Sequence, residues 1–425
     1  MKKGIILLLI ISLYCFSCKK TDVNTHVEQK QFEYPVLKSK AFNHVLQLNI
    51  IKTDSLKETS LKEVLINLNG TTELEDIKSI ALYFNPKNKG FLDEEKILFS
   101  ETDIISSQIL LKGDMPLKQH HNSFWLSYAL KDTANILNRI AGQCEKVVTN
   151  YGEVSVDQLE SPKKLRMGVA VRKHNDDNVD TYRIPGLVTT NKGTLLALYD
   201  IRRNSSRDLQ GNTDIGISRS IDGGHKWQPM TIALDMGEWG GLPEKFNGVA
   251  DASLLVDKNS ENIFVSGIWM HGVINAEGHW VKGLNEKSED WNHQWRNKGS
   301  QAGFGVKETS QFLMAKSTDD GKTWSKPVNL TKMCKKEEWW LWAPAPGKGI
   351  TLTDGTLVLP TQGRDKNGLP FSNITYSKDG GETWKTSEPA YHNTTECAVV
   401  QLDDGSLMLN MRDNRNGREK GDKNG

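Results

Sequence analysis

Apolar and polar residues alternate in short runs along much of this chain. "HVLQLNII" (44–51), "SIALYFN" (79–85) and "FWLSYAL" (124–130) show the period. Each run has the length of a strand. They lie between Phe32 and about Val156, which predicts a β-sandwich-like domain of about 120 residues. Residues 19 to about 35 are polar and read as a linker ahead of it. The second half carries no long stretch of helical periodicity, so the chain as a whole reads as all-β.

The second half repeats. "SIDGGHKW" (220–227), "STDDGKTW" (317–324) and "SKDGGETW" (377–384) share Ser-x-Asp-x-Gly-x-x-Trp. Asp caps backbone N–H groups and Gly tolerates positive φ, so each predicts a tight turn, with the Trp free to pack between sheets. "NKGTLLALYDIR" (191–202), "TDGTLVLPTQGR" (353–364) and "DDGSLMLNMR" (403–412) each place a Gly turn before an apolar strand. The unit is strand, Gly turn, strand, loop, strand, Asp turn, Trp, and residues 250–325 supply one more copy with a long insert. Four-stranded units repeated this way build a β-propeller. Gly193 to Asp222 spans 29 residues and Gly355 to Asp379 spans 24, whereas the same step from Gly405 runs past Gly425. About three and a half blades are expected, with the last cut short.

Composition narrows the chemistry. The 425 residues carry a net charge of +1, with 37% apolar residues, 12 Trp and 36 Gly. Such a neutral balance implies no nucleic-acid partner. The five Cys are Cys15, Cys18, Cys144, Cys334 and Cys397, a spacing that suits neither a disulfide framework nor zinc. His120-His121 reads as part of a surface strand, and no metal or cofactor is expected. Lys2, Lys3 and the apolar run Ile5–Phe16 form a leader over residues 1–18. Ser17-Cys18 resembles a bacterial lipoprotein cleavage site. The expectation is an exported protein, in the periplasm or outer membrane, whose only membrane contact is a lipid on Cys18. Plain secretion is the alternative. A monomer is expected.

The chemistry concentrates in "TYRIPGL" (181–187). It reads as a strand through Tyr182, Ile184 and Leu187, with Pro185 marking its edge or end. Arg183 sits inside it, and a guanidinium on a strand calls for an anion.

Together with the three Asp turns and "TTECAVVQLDDGSLMLNMRDNR" (394–415), "YRIPGL" resembles the exo-α-sialidase (neuraminidase) family over about residues 165–425. The resemblance implies a six-bladed propeller, incomplete in this chain, over residues 161–425. The preceding β-sandwich over 19–160 is similar to a domain of some secreted bacterial sialidases. The implied activity is retaining release of terminal α-linked sialic acid from sialylated glycans. In this family three arginines hold the sugar carboxylate. Arg183 matches the first and Arg412 the second, while the third is expected beyond Gly425. Arg202 and Asp208 match an arginine at a strand end and an acid/base carboxylate on the following loop. Asp200 and Asp214, which flank strands, read as turn or ladder residues.

The resemblance also implies a Tyr nucleophile. A carboxylate attacking a carbon that bears another carboxylate would meet like-charge repulsion. A neutral phenol avoids this but needs a base, because its free pKa is about 10. Glu396 matches the base. The Tyr is expected beyond Arg412, and Tyr391 does not match its position. Asp251 in "GVADASLLVD" matches a pocket-lining Asp. Trp269, Trp280, Trp291 and Trp295, like "EEWWLWAP" (337–344), either stack on sugar faces or pack loops onto the blades. Two rivals stand beside the sialidase: a non-catalytic sialoglycan-binding propeller, and a hydrolase for a neutral sugar that needs no arginine cluster.

Overall fold

The alternating runs of the first half become neighbouring strands. A computed structural model describes residues 21–54, 58–87, 95–118, 120–208, 211–277, 279–284, 288–290, 292–293 and 300–413. The leader with Cys18, and Trp291 and Trp295, lie outside these residues. The chain divides into two units, Met1–Ala170 and Val171–Gly425.

In the first unit nine strands form one sheet in the order Ile97–Thr102, Ile77–Asn85, His120–Leu130, His44–Lys52, Thr21–Lys30, Gly152–Val156, Gln143–Thr149, Ser60–Asn67, Gln108–Pro116. The two end strands are consecutive in the chain, so the sheet bends around on itself like a nearly closed barrel. Its period-two pattern points Leu46, Leu48, Ile50, Leu82, Phe124 and Leu126 at one shared core. His120 and His121 are exposed at the start of their strand.

The polar segment read as a linker is a strand. Thr21–Lys30 pairs antiparallel with His44–Lys52 and parallel with Gly152–Val156. Its composition hides it because neighbours on both sides satisfy its backbone, while Val27 is a fully buried apolar anchor.

The second unit is a series of antiparallel meanders. The first runs Thr181–Thr189, Leu195–Arg202, Thr213–Ser220, Thr231–Leu234. The second runs Asn247–Val256, Ile263–His271, Gln311–Ser317, Val328–Asn329. A third is built on Leu341–Pro344, Leu357–Arg364, Pro370–Ser377 and Lys385–Thr386. The hairpin Thr394–Gln401 with Leu407–Asp413 follows. The Asp turns recur between the third and fourth strands of each meander. In the turn at 377–384 the Ser377 hydroxyl donates to Asp379 Oδ1 (2.7 Å), Gly381 N–H donates to Ser377 Oγ (2.8 Å) and Thr383 N–H donates to Asp379 Oδ1 (2.9 Å). Ser220/Asp222 and Ser317/Asp319 repeat the pattern. Of the three Trp, only Trp384 is fully buried; Trp227 and Trp324 are half-covered.

Two devices join the first meander to the second. Thr213 bridges Gly248 in parallel, at a backbone approach that leaves no room for a Cβ. Asp320, in the second Asp turn, accepts from the hydroxyls of Thr190 (2.5 Å) and Thr194 (2.6 Å) and from Arg219 Nη2 (2.8 Å). Of the ambiguous tryptophans among the described residues, Trp269 packs on Trp239 and His293 in the core, and Trp339 and Trp342 pack on Phe371 and Phe312, whereas Trp280 and Trp340 are only half-buried.

Candidate active site

The site is built where inner strands are broken. Of the two readings of Pro185, a strand edge rather than a strand end holds, because Thr181–Thr189 is the outermost strand of its sheet. The strand continues through a bulge between Arg183 and Gly186, with Ile184 at φ 54°. Asn247–Val256 carries a second bulge between Ala250 and Ser253, with Asp251 at φ 51°. Thr394–Gln401 carries a third between Thr394 and Cys397, enclosing Glu396. A bulge bends a strand and re-aims its side chains, and non-Gly residues at positive φ cluster at functional sites. Arg183, Asp251 and Glu396, each in or beside a bulge, come from the first strand of the first meander, of the second, and of the final hairpin.

Asp251 feels the charges of two further carboxylates and two guanidiniums. Its carboxyl is pushed up to about 7, first by burial, then by the charges of Glu396 and Asp208; Arg202 and Arg183 oppose the rise. Asp251 therefore titrates close to neutrality and lies within electrostatic reach of all four. Arg412 joins through Glu396, donating from Nη1 to Oε2 (2.8 Å). The structure thus brings together all six candidates: Arg183, Arg202, Asp208, Asp251, Glu396 and Arg412.

The arginines differ in engagement. Arg202 is 1% exposed and fully paired: Nη1 donates to Asp208 Oδ1 (2.6 Å) and Ser206 O (2.9 Å), while Nη2 and Nε donate to Asp200 Oδ2 (2.9 and 3.3 Å). Arg183 is exposed, and no side chain among the described residues hydrogen-bonds its guanidinium. A structural salt bridge is thereby excluded among those residues, and the cation faces solvent. Asp208, on the loop after Leu195–Arg202, is 69% exposed with one oxygen held by Arg202.

Asp200 is a ladder residue, as read from the sequence, paired with Arg183 and Ile215. What the sequence did not show is that its carboxyl is fully buried and accepts the Asp251 N–H at Oδ1 (3.1 Å). Burial, with the charge of Asp251 behind it, raises it well above the usual carboxylate range, against the pull of Arg202. The available signal was the Asp-x-Arg spacing in "LYDIR", which puts both side chains on one face of the strand. Asp214 is a ladder residue, buried in Thr213–Ser220 and paired with Arg203. Tyr391 is half-exposed on a two-residue strand against Phe371–Ser372, outside the strand that carries Glu396.

The BNR repeat-like domain matches residues 184–421, and the N-terminal domain of BNR-repeat neuraminidase matches 24–109. A Bacteroides fragilis sialidase is 38% identical over 98% of this chain and 77% of its own length. The chain belongs to the BNR-repeat sialidase family. A Paraclostridium sordellii sialidase is 31% identical over 58% of the chain and 56% of its own length. Among solved structures, the Hadza microbial sialidase Hz136 superposes with a TM-score of 0.80 at 34% identity, covering 91% of this chain and 76% of that one. In this chain the six residues form a charge constellation around Asp251, and Asp200 accepts hydrogen bonds from Arg202 and from the Asp251 backbone.

Proposed function

We propose that this member of the sialidase family is a retaining exo-α-sialidase that frees terminal α-linked sialic acid from glycoproteins, glycolipids and oligosaccharides. The observation that carries this reading is the uncommitted guanidinium of Arg183 beside the Asp208, Asp251 and Glu396 carboxyls. A neutral sugar needs no such cation, whereas a sugar carboxylate pairs with planar guanidiniums through charge-assisted hydrogen bonds. Arg183 and Arg412 hold the carboxylate. Asp251, titrating close to neutrality, can donate to a substrate oxygen in its protonated form. Asp208 protonates the leaving oxygen as the bond to the anomeric carbon breaks, then takes a proton from the water that attacks in the second step. Glu396 accepts the phenolic proton of the tyrosine nucleophile that the family resemblance implies; none of the described tyrosines is assigned that role.

Proton NMR during hydrolysis of an α-sialoside tests the mechanism. Retention releases the α-anomer first, with the β-anomer appearing only by mutarotation. Initial release of the β-anomer contradicts retention, and binding of sialic acid without turnover favours the glycan-binding alternative. We also propose export with lipid on Cys18, supported by Lys2, Lys3 and the apolar run before Ser17. Mass spectrometry of the mature N-terminus would show a diacylglyceryl cysteine, and an unmodified N-terminus downstream of Cys18 would refute it.

A further inference from the structure

We infer that Asp200 is a positioning residue that fixes the acid/base carboxylate Asp208 through Arg202 and sets the Asp251 backbone from the same carboxyl group. Resting on the sialidase reading above, this assigns a role to a residue that touches no substrate.

The geometry is specific. Asp200 is 0% exposed, in the middle of an apolar strand. Its Oδ2 accepts both Nε and Nη2 of Arg202, which fixes the plane of that guanidinium. The remaining nitrogen, Nη1, then points at Asp208 Oδ1 and at the carbonyl of Ser206, two residues earlier on the same loop. Asp208 is otherwise largely solvent-exposed, so this relay gives it a fixed anchor. Oδ1 of Asp200 faces the other way and accepts the N–H of Asp251, at the left-handed residue of the second bulge. That N–H belongs to a bulge, where ladder pairing is interrupted. One buried carboxyl therefore ties the acid/base loop of the first meander to the Asp251 bulge of the second. Three N–H donors converge on its two oxygens, which suits the ionised, acceptor-only form against the upward pull of burial. An amide of the same shape presents an NH₂ in place of one of those oxygens.

The test exploits leaving-group chemistry. Asp200→Asn in the full chain is assayed on a 4-methylumbelliferyl α-sialoside, whose aryl leaving group needs little protonation, and on sialyllactose, whose sugar leaving group needs a proton. Both substrates present the same sialic acid, so a loss of sugar binding cancels in the ratio of their kcat/KM values. The expected result is a fall of ~100-fold or more on sialyllactose and under ~10-fold on the aryl substrate. Parallel losses on both substrates, or no loss, overturn the inference. Arg202→Lys, which keeps a cation beside Asp200 but loses the planar fork, should reproduce the split and serves if Asp200→Asn does not fold. If wild type turns over neither substrate, the sialidase reading fails with it. An active wild type with a variant showing no split refutes the positioning role alone.

Discussion

Replacing Arg183 by Ala separates catalysis from stability more cleanly than any other change at this site. The side chain is exposed and no described side chain hydrogen-bonds it, so its loss should alter folding free energy by no more than ~0.5 kcal/mol. If it holds the substrate carboxylate, the lost charge-assisted contact is worth roughly 2–3 kcal/mol, or about 30- to 160-fold in kcat/KM. Arg202→Ala should behave in the opposite way. It leaves the buried Asp200 without its counter-ion, at a cost of roughly 3–5 kcal/mol and thus about 6–20 °C in Tm. The assay is initial-rate hydrolysis of a fluorogenic α-sialoside, with thermal unfolding of the same preparations. An Arg183→Ala enzyme within threefold of wild type would show that the guanidinium is not a carboxylate anchor. A Tm falling in step with activity would show that its role is structural.

Other consequences follow from the same geometry. Asp251 has a folded pKa of about 7, above its unfolded value, so the folded protein holds the extra proton between about pH 4 and 7 and loses stability as pH rises through that window. Asp251→Asn should remove this slope, so its Tm relative to wild type rises from pH 4 to pH 8; a pH-independent difference would contradict the shift. His293 is held neutral by burial, with its pKa lowered to about 3 and its Nδ1 accepting the His271 N–H. The unfolded state takes up the proton first, so stability should fall as pH drops from 6.5 towards 3, and His293→Gln should flatten that dependence in urea titrations. Asp379→Ala removes the acceptor of one Asp turn. It should lower Tm by ~2–4 °C while leaving kcat/KM for the fluorogenic sialoside unchanged; a matching loss of activity would implicate the turn in catalysis.

What could be read from the chain alone was what is local. The Asp turns close their hydrogen bonds within eight residues, so Ser377, Asp379 and Thr383 declare the turn without reference to the rest of the fold. Alternation placed His44–Lys52 and its neighbours because one face of a sheet must be apolar. Arg183, Asp208, Glu396 and Arg412 were legible through motifs that travel with such strands. Only the tertiary structure decided the rest. The polar Thr21–Lys30 became a strand because two neighbours supply its hydrogen bonds. Pro185 sits within a strand because a bulge relieves the ladder there. Asp200 is buried because Asn247–Val256 crosses over it and brings the Asp251 N–H to its carboxyl, 51 positions along the chain. A carboxylate's role depends on which donors surround it, and those donors arrive from segments that no local pattern connects.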